Sequence, residues 1–150
     1  MDIEIDASDA FRTATAFRQG PAIANDELRI GMQRSVHAVL GQSMKNTPVI
    51  TGHLRRGQTS EVRGAGGTLI GVVGTNVPYA RAVHDGRGPV EARPGGVLRF
   101  VIRGKVLYRK RVGPAKANPF MRNALAQMRP TIHKEFALVA GRIAKRIANL

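Results

Sequence analysis

The sequence contains no cysteine and no tryptophan, and only two tyrosines and five phenylalanines. Without cysteine it offers neither disulfides nor the thiolate ligands of a usual structural zinc site, which argues against a disulfide-stapled secreted fold. No apolar run approaches the length of a membrane span, and the first residues carry acids where a signal peptide would carry bases. We expect one domain, 1–150, in the cytoplasm or in a particle assembled there, with no membrane partner.

Acidic residues are also scarce, because ten Asp and Glu stand against 24 Lys and Arg, a net charge of +14. Four of the ten acids lie within the first nine residues, whereas 86–150 holds fifteen bases and two acids. This asymmetry favours a surface that meets a polyanion or an acidic neighbouring subunit. A basic surface that is merely solvated is the alternative.

Hydrophobic periodicity predicts helices at both ends of a β-rich middle. Residues 2–6 alternate acidic and apolar side chains, as a half-buried strand does. Apolar residues recur every three to four positions over 25–45, which predicts a helix capped by Asn25 or Asp26 and ended by Pro48. The segments 58–62 and 68–74 are predicted strands, joined by a glycine-rich turn at 64–67.

The second half of the chain predicts a loop, a hairpin and a long helix. Glycine and proline make 86–96 a loop, which we expect to be mobile, and 97–112 alternates as a hairpin turning at Gly104. We expect this hairpin to have one apolar and one cationic face. An apolar stripe from Leu125 to the C-terminus predicts a helix that Pro130 kinks or splits. The architecture is therefore α+β, a small antiparallel sheet packed with an N-terminal helix and a long kinked C-terminal helix.

No constellation of catalytic residues is evident in the sequence. The four histidines (37, 53, 84 and 133) are isolated from one another, so no metal site is expected. His84 and Asp85 are a weak candidate pair, because adjacent side chains seldom face each other and no nucleophile accompanies them. The turn at 64–67 lacks the phosphate-binding Gly-Lys-Ser/Thr pattern. We expect no enzymatic activity and no cofactor.

Three short motifs carry more information than the composition. The first is 47–55, in which Pro48 ends a helix, Gly52 permits a reversal and Leu54 enters the core. The second runs from Gly74 to Gly86 and places a turn beside a tyrosine, Tyr79, that we expect to be buried. The third, 117–124, starts the last helix, where Phe120 is expected to anchor the helix on the sheet.

In this order, the three motifs resemble those of the minor tail, or tail-completion, proteins of long-tailed bacteriophages. The resemblance covers about 25–145, and the sequence departs from the family pattern at Ile50, Gly57 and His84. The positions that carry the resemblance are Pro48, Thr51, Gly52, Leu54, Arg55, Gly74, Tyr79, Ala80, Gly86, Pro119, Phe120 and Ala124.

The resemblance implies a non-enzymatic virion protein that forms a ring, with a hexamer favoured, at the head–tail neck or tail top. Its partners would be a head-closure or connector protein on one side and a tail terminator or tail-tube protein on the other, with DNA passing through the lumen. We expect 86–96 and 97–112 to make contacts between subunits. The candidate interface or DNA-channel residues are Arg87, Arg93, Arg99, Arg103, Lys105, Arg109, Lys110, Arg111 and Lys116.

Two further hypotheses follow from the charge. The acidic strand 2–6 would pair with the basic surface of an adjacent copy. Alternatively, the protein binds nucleic acid through its basic C-terminal half, contacting the phosphate backbone rather than reading bases.

Overall fold

The computed structural model describes residues 8–64, 68–102 and 104–149, and the fold is α+β, as predicted. The predicted strand at 2–6, residues 65–67 of the predicted turn, Arg103 and Leu150 lie outside this description. In chain order the elements are α1 (Ser8–Asn46), α2 (His53–Arg56), β1 (Gln58–Arg63), β2 (Ile70–Thr75), α3 (Ala80–His84), β3 (Val90–Glu91), β4 (Leu98–Ile102), β5 (Lys105–Arg109), β6 (Arg111–Val112) and α4 (Phe120–Ala148).

Helix α1 is longer than the sequence predicts. It begins at Ser8, not at Asn25 or Asp26, and continues through Pro21. The expected capping residues lie inside the helix because this stretch packs against α4, and the buried Glu27 next to them bonds to α4 arginines. The predicted end is confirmed: Asn46 is the last helical residue, two positions before Pro48. Tertiary contacts thus outweigh a local capping signal.

The two long helices run antiparallel and form the most extensive contact between elements in the described part of the chain. Gly31 of α1 lies so close to Val139 of α4 that a Cβ at Gly31 would stand 2.4 Å from the valine Cγ2. Val139 is almost completely buried there. Pro130 lies inside α4 without splitting it. Pro130 is exposed and lacks one backbone N–H donor, and the packing of the helical turns on either side outweighs the loss of this one hydrogen bond.

An ionic network joins the two helices beside this contact. Arg142 donates to Glu27 at 2.9 Å and to Glu135 at 3.1 Å. Arg146 adds a bond to Glu27 at 3.0 Å, and Arg34 adds one to Glu135 at 3.2 Å. The hydrogen bonds from Arg142 are the main reason why the pKa of each of these two glutamates lies below its ordinary value, and the second arginine on each lowers it further. Both carboxylates are therefore held ionised between the helices.

The β1–β2 hairpin lies on α1, in an antiparallel register that pairs Gln58 with Thr75 and Arg63 with Ile70. Both predicted strands are confirmed, although β2 starts two residues later than expected. Gly71 permits the close approach of the hairpin to α1, because a Cβ there would meet Val36 Cγ1 at 2.3 Å.

A buried polar network, which the sequence analysis missed, fixes β1 to the end of α1. Ser43 Oγ donates to Gln58 Oε1 at 2.5 Å, Gln58 Nε2 donates to Thr47 Oγ1 at 2.6 Å, and Thr47 Oγ1 donates to the Ser43 carbonyl at 2.7 Å. All three side chains are buried. Each finds a partner, which keeps a polar cluster in a core from being destabilising.

The close approach of α1 and α4 makes Gly31→Ala destabilising. The added methyl overlaps Val139, so we expect unfolding in urea to show a loss of about 1–3 kcal/mol. Gly41→Ala is the matched control, because Gly41 is in the same helix and a Cβ there meets nothing within 4 Å. That variant should gain about 0.5–1 kcal/mol from helix propensity. Equal effects of the two substitutions would contradict the close contact between Gly31 and Val139.

The ionic network makes stability depend on acid pH. Since folding lowers the pKa of Glu27 and Glu135, their contribution is present above the ordinary glutamate pKa and is lost as pH falls through the lowered values. Arg142→Gln should flatten the fall in unfolding free energy between about pH 5 and pH 3. Arg129→Gln, at an exposed position of the same helix, should leave that slope unchanged. Indistinguishable slopes for all three proteins would argue against the network.

Candidate interaction surfaces

The three sequence motifs meet in one buried cluster. Leu54 of the first motif, Val77 and Ala80 of the second, and Phe120 of the third pack together, and Phe120 is completely buried. The three motifs therefore form one structural unit, although they are far apart in the sequence.

The first motif builds a tight reversal after α1. Gly52 has a φ of 76°, the left-handed conformation that glycine adopts readily, and it directly precedes α2. Leu54 is the buried residue of α2, so the predictions for Gly52 and Leu54 are confirmed. Pro48, Thr51 and Arg55 are exposed, which leaves them available for contacts with other molecules.

The second motif leads from β2 into α3, and its tyrosine is not buried as predicted. Tyr79 is 45% exposed and its ring lies 6.3 Å from that of His53. Ala80 is the buried residue instead, because it is the next residue along and points to a different side as α3 begins. Gly74 pairs with Thr59 in the hairpin ladder.

The third motif starts α4, with Pro119 directly before the first helical residue. The sequence predicts that Phe120 anchors this helix on the sheet, and this prediction is wrong. Its partners lie on the short α2 and α3 and in the loop between β2 and α3, and Ala124, one turn further along α4, is also fully buried. Asn118 N donates to the Val83 carbonyl at 3.0 Å, which ties the start of α4 to α3.

His84 and Asp85 do face each other, so the expectation that they would not is wrong. His84 Nδ1 lies 2.7 Å from Asp85 Oδ1. This hydrogen bond is the main reason why the pKa of Asp85 lies below its ordinary value, with Arg81 and Arg122 adding to it. The His84 ring also packs edge-on to Phe120 at 5.3 Å. This histidine thus links the buried cluster to the surface.

Residues 86–116 form a projecting antiparallel hairpin, which we call the arm. At its base Arg87 and Ala115 exchange backbone hydrogen bonds of 3.1 and 2.9 Å, and β3–β6 and β4–β5 continue the ladder outward. The predicted loop 86–96 is therefore partly paired, and the excursion between the two ladders is limited to 93–97. Gly86, with a φ of 79°, fits at the base because a Cβ would stand 2.9 Å from the Ala115 carbonyl oxygen.

The arm does not have one apolar and one cationic face. Its register pairs Phe100 with Leu107 and Val101 with Val106, and successive residues alternate between the two faces. Both faces therefore carry branched or aromatic side chains together with bases. Val101, Ile102 and Tyr108 are each more than half exposed. In the described part of the chain, no arm strand makes extensive contact with α1, α4 or the β1–β2 hairpin.

Most of the candidate bases lie exposed along the arm. Two are engaged within it: Arg87 is half-buried and donates to the Gly88 and Gly113 carbonyls, and Arg111 pairs with Glu91 at 3.4 Å. Arg103 lies outside the described residues. The other candidates are exposed and make no ion pair with an acid in the described part of the chain: Arg93, Arg99, Lys105, Arg109, Lys110 and Lys116.

An apolar groove of about 650 Å³ lies between α1, β2 and α4. Leu125, predicted as part of the packed stripe of α4, is 48% exposed on its wall. The hydroxyl of Ser35, a buried residue, also lies on the wall and has no hydrogen-bond partner among the described residues. The lining residues are Met32, Ser35, Val36, Val39, Gly71, Val72, Val73, His84, Met121, Arg122, Leu125, Ile132 and Phe136.

In comparisons with known proteins, no family model, curated protein or solved structure matches this chain. None of the helices in the described ranges is long and apolar enough to cross a membrane. Within the same ranges, no three His, Cys, Asp or Glu side chains come together in a way that would hold a metal ion.

The buried cluster should dominate the stability of the fold. Phe120→Ala removes a completely buried ring, so we expect chemical denaturation to show a loss of about 3–5 kcal/mol. Phe100→Ala deletes the same side chain from the half-buried surface of the arm and should cost less than half as much. Equal losses at the two positions would contradict a core centred on the three motifs.

Proposed function

We propose that this chain is a non-enzymatic structural protein of a tailed-phage virion. It forms a ring, with a hexamer favoured, at the head–tail neck or tail top, and joins a head-closure or connector protein to the tail terminator or tail tube. The observation that carries the proposal is the packing of the three motifs around Phe120. Three of the positions that carry the resemblance, Leu54, Ala80 and Phe120, come from the three different motifs and are spatial neighbours.

The exposed apolar surface supports an assembly role. A soluble monomer seldom leaves a projecting hairpin with apolar side chains on both faces, together with an open apolar groove. Val101 and Ile102 near the tip of the arm are 56% and 51% exposed. Burial of such side chains against neighbouring subunits would provide the driving force for joining.

The charge of the arm supports the same role. Residues 86–116 contain nine Lys or Arg and one acid. Since most of these bases have no acidic partner in the described part of the chain, they are available to an acidic neighbouring protein or to DNA in the lumen.

A second candidate function is binding of nucleic acid by the free protein, and the same exposed bases favour it. Such binding would depend steeply on salt, with a slope of about −0.9 in log K against log salt for each phosphate contacted. The assembly proposal, in contrast, expects the isolated chain to bind DNA weakly at physiological salt.

Joining of heads to tails is the direct test, measured by electron microscopy of particles made without the gene and then with a variant supplied. We expect loss of the gene to leave separate heads and tails. A variant with Lys105, Arg109 and Lys110 changed to Gln should restore joining at least about tenfold less well than the unaltered chain, because its arm has lost three charges.

The matched control changes Arg129, Lys134 and Lys145 of α4 to Gln, which removes the same charge from exposed positions outside the arm. It should restore joining fully. Normal particles in the absence of the gene would refute the assembly role. Tight, salt-dependent DNA binding by the isolated chain, lost only in the arm variant, would favour the second candidate instead.

A further inference from the structure

The groove between α1, β2 and α4 has the features of a site for an added strand. Two successive residues, Val72 and Val73, both line it. Because successive side chains of a strand point to opposite faces, a groove that reaches both runs along the edge of the strand. In the described part of the chain β2 pairs only with β1, so its other edge offers backbone donors and acceptors beside the groove.

The wall of the groove has one unsatisfied polar group. Ser35 is 4% exposed, and its Oγ lacks a hydrogen-bond partner among the described residues. A buried hydroxyl without a partner destabilises a fold, so structures seldom leave one.

The sequence contains a segment with matching chemistry at 2–6. It reads Asp-Ile-Glu-Ile-Asp, so in an extended conformation both isoleucines share one face and the three acids share the other. No Asp or Glu lines the groove, whereas Arg122 and His84 do. Without these three acids the chain has 24 bases and seven acids, so an acidic strand suits its surface.

The segment cannot reach the groove of its own chain. Helix α1 starts at Ser8, and at about 1.5 Å per residue the 24 residues to Met32, the first groove residue on this helix, span about 36 Å. A bend of about 30° at Pro21 would still leave about 35 Å. Fully extended, the five residues from Ser8 back to Ile3 span only about 17 Å.

We propose that 2–6 of one copy adds as a strand along the free edge of β2 of the next copy, with Ile3 and Ile5 in the groove. This inference rests on the ring-forming part of the proposed function and identifies the contact that forms the ring. Donor and acceptor surfaces differ, so every copy both gives and receives a strand. Such a head-to-tail contact closes into a ring when its rotation closes. The binding mode is strand addition to an exposed sheet edge.

The absence of cysteine allows a direct test by disulfide formation between two single-cysteine chains. One chain carries Ile5→Cys and the other, distinguished by a size tag, carries Leu125→Cys on the groove wall. The control partner carries Ile50→Cys, which is 93% exposed and outside the groove. We expect the mixed dimer with Leu125→Cys to exceed the control by at least about tenfold, because docking raises the effective concentration of the two thiols.

Two further variants complete the design. Changing Asp2, Glu4 and Asp6 to their amides in the Ile5→Cys chain should lower the yield of mixed dimer, and high salt should act in the same way. A chain carrying both Ile5→Cys and Leu125→Cys should form linked dimers and larger species rather than an internally linked monomer.

A mixed-dimer yield equal to that of the Ile50→Cys control, or an internally linked monomer, would overturn the proposed contact. These outcomes are distinct from failure of the proposed function. A chain that joins heads to tails without this cross-link would keep its function and lose this contact. A chain that cross-links but is absent from joined particles would keep the proposed contact and lose the proposed function.

Discussion

The fold depends on the burial of Phe120. This one ring packs against Leu54, Val77 and Ala80, and so holds together the end of the first reversal, the loop after the β1–β2 hairpin and the start of the last helix. The edge of His84 covers it, and the backbone bond from Asn118 to Val83 fixes the adjacent loop. Because the arm leaves the body between α3 and α4, its base is positioned by the same cluster. Loss of this packing would therefore loosen the base of the arm and the start of α4, whereas the rest of α4 would stay packed on α1.

The rest of the molecule is divided between a packed body and surfaces that the chain leaves uncovered. The two long helices are joined by the contact of Gly31 with Val139 and by the network around Arg142. The arm and the groove, in contrast, expose apolar side chains that a monomer gains nothing by exposing. The proposed assembly role would account for both features, since an uncovered apolar surface on a basic body is suited to neighbours that bring apolar and acidic groups.

Periodicity predicted the elements well, and local signals predicted their ends and faces less well. The last helix and the strands of the first hairpin are confirmed because burial imposes their period on the sequence, although Leu125 of the predicted stripe is 48% exposed. The predicted start of α1 was wrong, because the helix extends from Asn25 back to Ser8 and packs against α4. The prediction for the faces of the arm was wrong because the register of β4 and β5 decides them. The short connection from Ile102 to Lys105 pairs Phe100 with Leu107, which places Phe100 on the opposite face from Val106 and Tyr108. The cluster of Ser43, Thr47 and Gln58 had no sequence signal, since isolated polar residues look alike until the fold brings them together.

The proposed role of this fold is that of a ring-forming component at the junction of head and tail. The most direct measurement is cryo-electron microscopy of the neck region of purified particles. We expect a closed ring of identical copies whose density fits the α1–α4 pair and the β1–β2 hairpin, with each arm in contact with a neighbouring subunit or the DNA. A neck fully accounted for by other proteins, with no density for this fold, would contradict it.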